Sequence, residues 1–244
     1  MSLVLKDIKA ILFDFGNTLI EFGPRQVEYH NMALEQSFLR MFGNCDLERL
    51  ALVRDRQISA PNLNSFREND LRNVSIELVR ELYHISPSEE QIKALLDTRY
   101  NAFLDVIKLP DGVLPLVQDI SRRYRIALIS NYPCGRSLRD ALGKIGLLDK
   151  FEDVVVSGEV GYVKPHPLPF ETTLRHLKLK AQDCVYVGDN WLADIQGAKR
   201  IGMQAVYITQ YVPYEKIVPS DNDFQPDARI NHIEELRKIF LAGE

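Results

Sequence analysis

Four consecutive apolar residues, Ala10-Ile11-Leu12-Phe13, run directly into an aspartate, Asp14, and then into Gly16 and Asn17. The run is too short for a helix and shows no polar alternation. That pattern predicts a strand buried on both faces, as in a parallel sheet. Gly16 and Asn17 predict the turn that ends it. A carboxylate at the carboxyl end of such a strand faces the crevice where open α/β sheets bind ligands. Taken alone, Asp14 reads better as a residue that merely caps the following turn.

The second half of the chain repeats the pattern. Apolar strands are expected at 125–129, 153–156, 184–187 and 204–208, with helices near 112–123, 135–145, 167–178 and 191–201. Gly146 and Gly202 follow helical patterns as C-terminal caps. Repeated strand–helix units predict a parallel sheet covered on both faces. Residues 21–104 differ: they read almost entirely as helix, over 27–42, 46–58, 70–83 and 88–106. Ser86 is the expected cap of the last of these, with Pro87 in its first turn and Glu89 meeting the helix dipole. Composition predicts a loop at 59–65, and the tail is expected to turn at 226–229 before a helix at 232–241. The expected architecture is an α/β core formed by 1–20 and 105–244, interrupted by a helical domain at 21–104.

Composition narrows the partners. The chain has 244 residues, 45% hydrophobic and 26% charged, enough for a core and an insertion. A net charge of −4 argues against a broad nucleic-acid or anionic-membrane surface. No apolar run reaches the length of a membrane span and the start lacks a signal-peptide core, so a cytoplasmic location is expected. Cys45, Cys134 and Cys184 form no C-x-x-C pair, which fits a reducing compartment and offers no zinc site. Cys184 reads as core and Cys134 as a loop residue.

Three later stretches complement Asp14: Ile129-Ser130-Asn131, Val163-Lys164-Pro165, and Val187-Gly188-Asp189 with Asp194 five positions on. Asp14…Thr18, Ser130, Lys164 and Gly188-Asp189…Asp194, in that order, resemble the four motifs of the haloacid dehalogenase (HAD) superfamily. The resemblance covers 10–20 and 105–210, and 21–104 as an insertion of the size of a C1-type helical cap. It implies a Rossmann-like parallel sheet with all four motifs at the strands' carboxyl ends. It further implies hydrolysis of a small phosphorylated metabolite. Asp14 would attack phosphorus without a separate base, giving an aspartyl-phosphate. Ser130 and the Asn131 backbone N–H would bind phosphate oxygens. Lys164, stiffened by Pro165, Pro167 and Pro169, would neutralise developing charge. Asp14, the Gly16 carbonyl, Asp189 and Asp194 form an oxygen-only donor set suited to Mg²⁺. A monomer or homodimer is expected.

One position departs from the pattern. The phosphatases of the superfamily carry D-x-D, whose second Asp protonates the leaving group and then activates water. Here that residue is Gly16, and Glu21 is the sole distant substitute. Two alternatives therefore stand beside the Mg²⁺-dependent phosphatase or phosphotransferase. A 2-haloacid dehalogenase also lacks the second Asp, since halide leaves unprotonated, but needs no metal. A non-catalytic phospholigand-binding protein would need no acid at all. His166 reads as loop polarity. Arg54, Arg56, Arg67 and Arg72 read equally as anion recognition or as a solvated helix face.

Overall fold

The computed structural model describes residues 5, 7–212 and 223–242. Six parallel strands form one sheet: β1 (Ala10–Phe13), β2 (Arg125–Ser130), β3 (Asp153–Val156), β4 (Cys184–Gly188), β5 (Gln204–Ile208) and β6 (Ala228–Ile230), in the order β3-β2-β1-β4-β5-β6. Strand order reverses at β1, so Asp14 sits at the switch point where such sheets open a ligand crevice. Phe13 is level with Leu128 of β2 and Val187 of β4. That register brings Asp14, Ser130 and Asp189 to the same edge.

Side chains alternate between the two faces. Ile11, Phe13, Leu128, Val185 and Val187 pack on one face beneath α5 (Val113–Ser121) and α6 (Gly135–Lys144). Ala10, Leu12, Ala127 and Tyr186 pack on the other beneath α8 (Pro167–Leu177) and α9 (Gly197–Arg200). A single turn, α7 (Ser157–Val160), follows β3. The five strands expected from the sequence are present, and Gly146 and Gly202 hold φ of 74° and 87°, as left-handed caps do.

Between β1 and β2 the chain forms α1 (Pro24–Phe42), α2 (Leu47–Leu63), α3 (Leu71–Tyr83) and α4 (Glu89–Val106). These helices bury a cluster of their own, including Leu34, Phe38, Leu50, Leu78 and Leu95. A short ladder joins them to the sheet domain: Glu68 N–H donates to Gly161 O at 3.0 Å, and Val163 N–H to Phe66 O at 2.8 Å. Among the described residues no helix is long and apolar enough to cross a membrane.

Several local expectations are corrected. The expected loop at 59–65 is helix as far as Leu63, with Pro61 inside it. Proline cannot donate to the Gln57 carbonyl, but Asn69 Nδ2 does so at 2.8 Å, so the helix continues without an orphaned acceptor. The cap of α4 is Ser88 rather than Ser86: Ser88 Oγ accepts from Gln91 N–H, and Gln91 Oε1 accepts from Ser88 N–H in return. Residues 191–196 form a wide π turn before α9. The tail adds the unexpected strand β6, and in place of one helix at 232–241 it makes a 3-10 turn, Ile233–Glu235, and a π turn, Arg237–Leu241.

Candidate active site

Lys164, from the loop between α7 and α8, organises the edge of the sheet. Its side chain is 2% exposed, and Nζ donates to Asp14 Oδ1 at 2.7 Å, Asp194 Oδ1 at 2.7 Å and the Tyr186 hydroxyl at 2.6 Å. Those three acceptors use all three ammonium protons. Tyr186 in turn donates to Ile129 O at 3.0 Å, which fixes its oxygen as an acceptor for the lysine. Burial pushes the lysine pKa down, but Asp14 and Asp194 outweigh that effect and raise it, so the group stays charged. The Lys164 backbone is pinned as well. Asn131 Nδ2 donates to Lys164 O at 3.1 Å, and Lys164 N–H donates to Asn131 Oδ1 at 2.7 Å.

Asp194 reaches the site because β4 ends in glycine. A β-carbon on Gly188 would lie 2.4 Å from Asp194 Oδ2, so any other residue would displace that carboxylate. Asp194 Oδ2 accepts from Asn190 N–H at 2.9 Å, and Asn190 Oδ1 accepts from Ala193 N–H at 2.9 Å, capping the π turn. The carboxylates of Asp14, Asp189 and Asp194 converge, with one oxygen from each lying within 4.8 Å of the others. Burial raises Asp14 to about 6, with Lys164 opposing and Asp194 adding to the shift. Burial, then the charges of Asp14 and Asp194, push Asp189 to about 9.

These groups line a cavity of about 210 Å³ with Gly16, Asn17, Phe22, Ser130 and Asn131, and among its lining residues three carboxylates face one ammonium. The donor set therefore fits Mg²⁺: the ligands are hard oxygens, they converge, and their excess negative charge is what a divalent cation neutralises.

A second cavity of about 370 Å³ lies beneath the helices and shares Phe22, Asn131 and Tyr132 with the first. His30, Arg54, Gln57, Glu68 and Arg99 line it. Burial, then the charges of Arg54 and Arg99, hold the His30 imidazole down at about 4. Unfolded histidine, near pH 6.5, takes up a proton that the folded protein refuses. Stability present above pH 6.5 should thus fall toward pH 4, by up to about 3 kcal/mol. Urea unfolding of His30→Gln should lose most of that dependence, whereas an unchanged slope would show that His30 is not its source.

Every residue expected in the site lines the smaller cavity, of about 210 Å³: Asp14, Gly16, Ser130, Asn131, Lys164, Asp189 and Asp194. Glu21 is exposed and does not line it. His166 caps α8, its Nδ1 accepting from Leu168 N–H at 3.2 Å, and stacks on Tyr162. Cys134 Sγ caps α6, and Cys184 is buried in β4. Of the four arginines weighed, Arg56 pairs with Glu77 and Glu81, Arg72 with Glu89, and Arg67 lies over the Tyr162 ring. Arg54 alone of the four lines a cavity among those described. Tyr186, His30 and Arg99 carried no signal in the sequence: a tyrosine within an apolar strand and polar residues within helices have ordinary structural explanations.

The haloacid dehalogenase-like hydrolase family model matches residues 8–202. The chain belongs to this family. Among curated relatives, this HAD-like hydrolase is 28% identical over 235 residues to the glyceraldehyde 3-phosphate phosphatase of Methanopyrus kandleri, covering 95% of this chain and 97% of that one. It is 28% identical over 200 residues to the ribulose-1,5-bisphosphate 5-phosphatase of Halopiger xanaduensis, covering 81% and 83%. In fold, this HAD-like chain matches the 2-haloacid dehalogenase of Pseudomonas syringae pv. tomato with a TM-score of 0.73 at 23% identity, over 96% and 98% of the two chains.

Proposed function

We propose that this HAD-like hydrolase is a Mg²⁺-dependent phosphatase or phosphotransferase for a small phosphorylated metabolite, working through an aspartyl-phosphate at Asp14. The observation that carries the reading is the convergence of Asp14, Lys164, Asp189 and Asp194 at one strand edge. Two relatives named as phosphatases of small sugar or triose phosphates support it.

In this reading an Asp14 carboxylate oxygen attacks phosphorus and the ester oxygen departs with the electron pair of the P–O bond. Water then attacks the aspartyl-phosphate, releasing phosphate and restoring Asp14. Lys164, held by two carboxylates and Tyr186, offsets charge on the transferring group without having to move. Ser130 and the Asn131 N–H bind phosphate oxygens. Asp14, the Gly16 carbonyl, Asp189 and Asp194 would hold Mg²⁺, which supplies further neutralisation of the phosphate when bound. The helices between β1 and β2 act as a cap that closes the site against water.

Titration calorimetry of Mg²⁺ into Asp189→Ala tests the metal assignment. Affinity should fall sharply, because the remaining protein oxygens cannot hold so strongly hydrated an ion. Unchanged affinity would remove this site from the account. A dehalogenase is the second reading, favoured by Gly16 and opposed by the retained carboxylates of Asp189 and Asp194.

A further inference from the structure

The cavity beneath the helices is lined by two arginines, Arg54 and Arg99. Arg54 is 8% exposed, and its Nε has no hydrogen-bond partner. Arg99 Nε and Nη2 are likewise buried and unpartnered. Among the described residues neither guanidinium is in an ion pair. Glu68, the carboxylate lining this cavity, is engaged elsewhere: it accepts from Ser157 Oγ and from Asn69 N–H. Burial is the main force lowering the Arg99 pKa, to about 9, and repulsion from Arg54 adds to it, so the two guanidiniums lie close enough to oppose each other. His30 is held neutral, and its Nε2 and the Gln57 Oε1 are also buried without partners. Buried unpaired cations are costly, and this pair opens onto the space adjoining Asp14 and Lys164.

We propose that Arg54 and Arg99 form a second anion-binding subsite, so that the preferred substrate is a phosphomonoester carrying a further carboxylate or phosphate group. Two planar guanidiniums suit the bidentate recognition of either oxyanion. The unpartnered Gln57 Oε1 would accept from a hydroxyl on the intervening chain. The inference rests on the phosphatase reading for the role of the first phosphate. It separates this chain's substrate from glyceraldehyde 3-phosphate, which has no second anion.

The test is competitive inhibition of nitrophenyl phosphate turnover by three compounds of similar size: glycerol 3-phosphate, 3-phosphoglycerate and 1,3-propanediol bisphosphate. At least one of the two doubly anionic compounds should bind ~10- to 100-fold more tightly than glycerol 3-phosphate, as expected for charge-assisted hydrogen bonds. Comparing those two identifies which oxyanion the subsite takes. Arg54→Met and Arg99→Met should abolish the difference while leaving nitrophenyl phosphate turnover within about threefold. Arg99→Met should also melt at a higher temperature than the ligand-free parent, because it removes an unpaired buried charge; the same melt verifies folding. Equal binding of all three compounds, or a preference that survives both substitutions, would overturn the proposal. Absence of nitrophenyl phosphate turnover would count against the phosphatase reading alone. Calorimetric titration of the same compounds would then decide the subsite by the same criterion.

Discussion

Asp14→Asn will reduce phosphate release from nitrophenyl phosphate by roughly 10⁴-fold or more, the scale on which removing a covalent nucleophile acts. The amide can still accept a hydrogen bond from Lys164 Nζ, now 2.7 Å from Asp14 Oδ1, but its oxygen carries no charge to attack with. The fold should tolerate the change. Burial raises the Asp14 pKa and the Asp194 charge adds to that shift, so a neutral side chain relieves a like-charge contact and the melting temperature should not fall. Loss of activity with an unchanged melt would assign Asp14 to chemistry. Both the phosphatase and the dehalogenase reading need this carboxylate, so a chelator rather than the substitution separates them. Phosphate release by the parent protein should vanish when a chelator is added. Chloride release from a 2-chloroacid in the presence of chelator, without phosphate activity, would reverse the ranking.

Gly16 should show itself through the leaving group. A positioned general acid contributes ~10²- to 10⁴-fold in rate. Nitrophenyl and acyl phosphates depart with little need for a proton, whereas sugar phosphates leave a basic alkoxide. Turnover should therefore be measurable on the former and slower by about that factor on the latter. The second step also lacks its base, so aspartyl-phosphate should accumulate and give a burst of product. The backbone permits a direct repair. Gly16 does not hold a positive φ, and a β-carbon there would meet Phe22 Cβ at 3.4 Å, an ordinary van der Waals contact. Gly16→Asp should accordingly raise turnover on alkyl phosphates more than on nitrophenyl phosphate. If the parent protein already hydrolyses alkyl phosphates at ordinary enzymatic rates, another group supplies the proton and Gly16 is no deficit.

The strands that build the site were legible because a strand buried on both faces leaves a continuous apolar run, as in Ala10–Phe13 and Cys184–Val187. The terminal carboxylates were legible because charge at the end of such a run has few structural uses. β6 was hidden: it has three residues, with Arg229 exposed between two buried neighbours. Pro61 concealed the end of α2 because the acceptor it leaves is satisfied by Asn69, from beyond the helix. Arg99 and Tyr186 were hidden for a different reason. Helical register places Arg99 in line with the buried Ile92, Leu95, Ala102 and Phe103 of α4, without saying whether an arginine there reaches out to solvent or roofs a cavity. The Tyr186 hydroxyl matters only because β4 lies beside β1, which brings it to Lys164.

The two backbone hydrogen bonds between residues 66–68 and 161–163 bear on how a product leaves. Lifting α2 and α3 away from the sheet on that side means unzipping them, at about 1 kcal/mol each. The segment being pulled ends one residue before Lys164, whose backbone is gripped by Asn131. Opening toward that side therefore pulls on the segment that seats the ammonium. The opposite rim is tied down too, by Tyr100 on Asp140, Lys144 on Leu104 O and Phe103 stacked on Tyr132, the neighbour of Asn131. The charged floor of the crevice is thus moored to the overlying helices from both sides, and release of product has to loosen one mooring while the other keeps the ammonium in place.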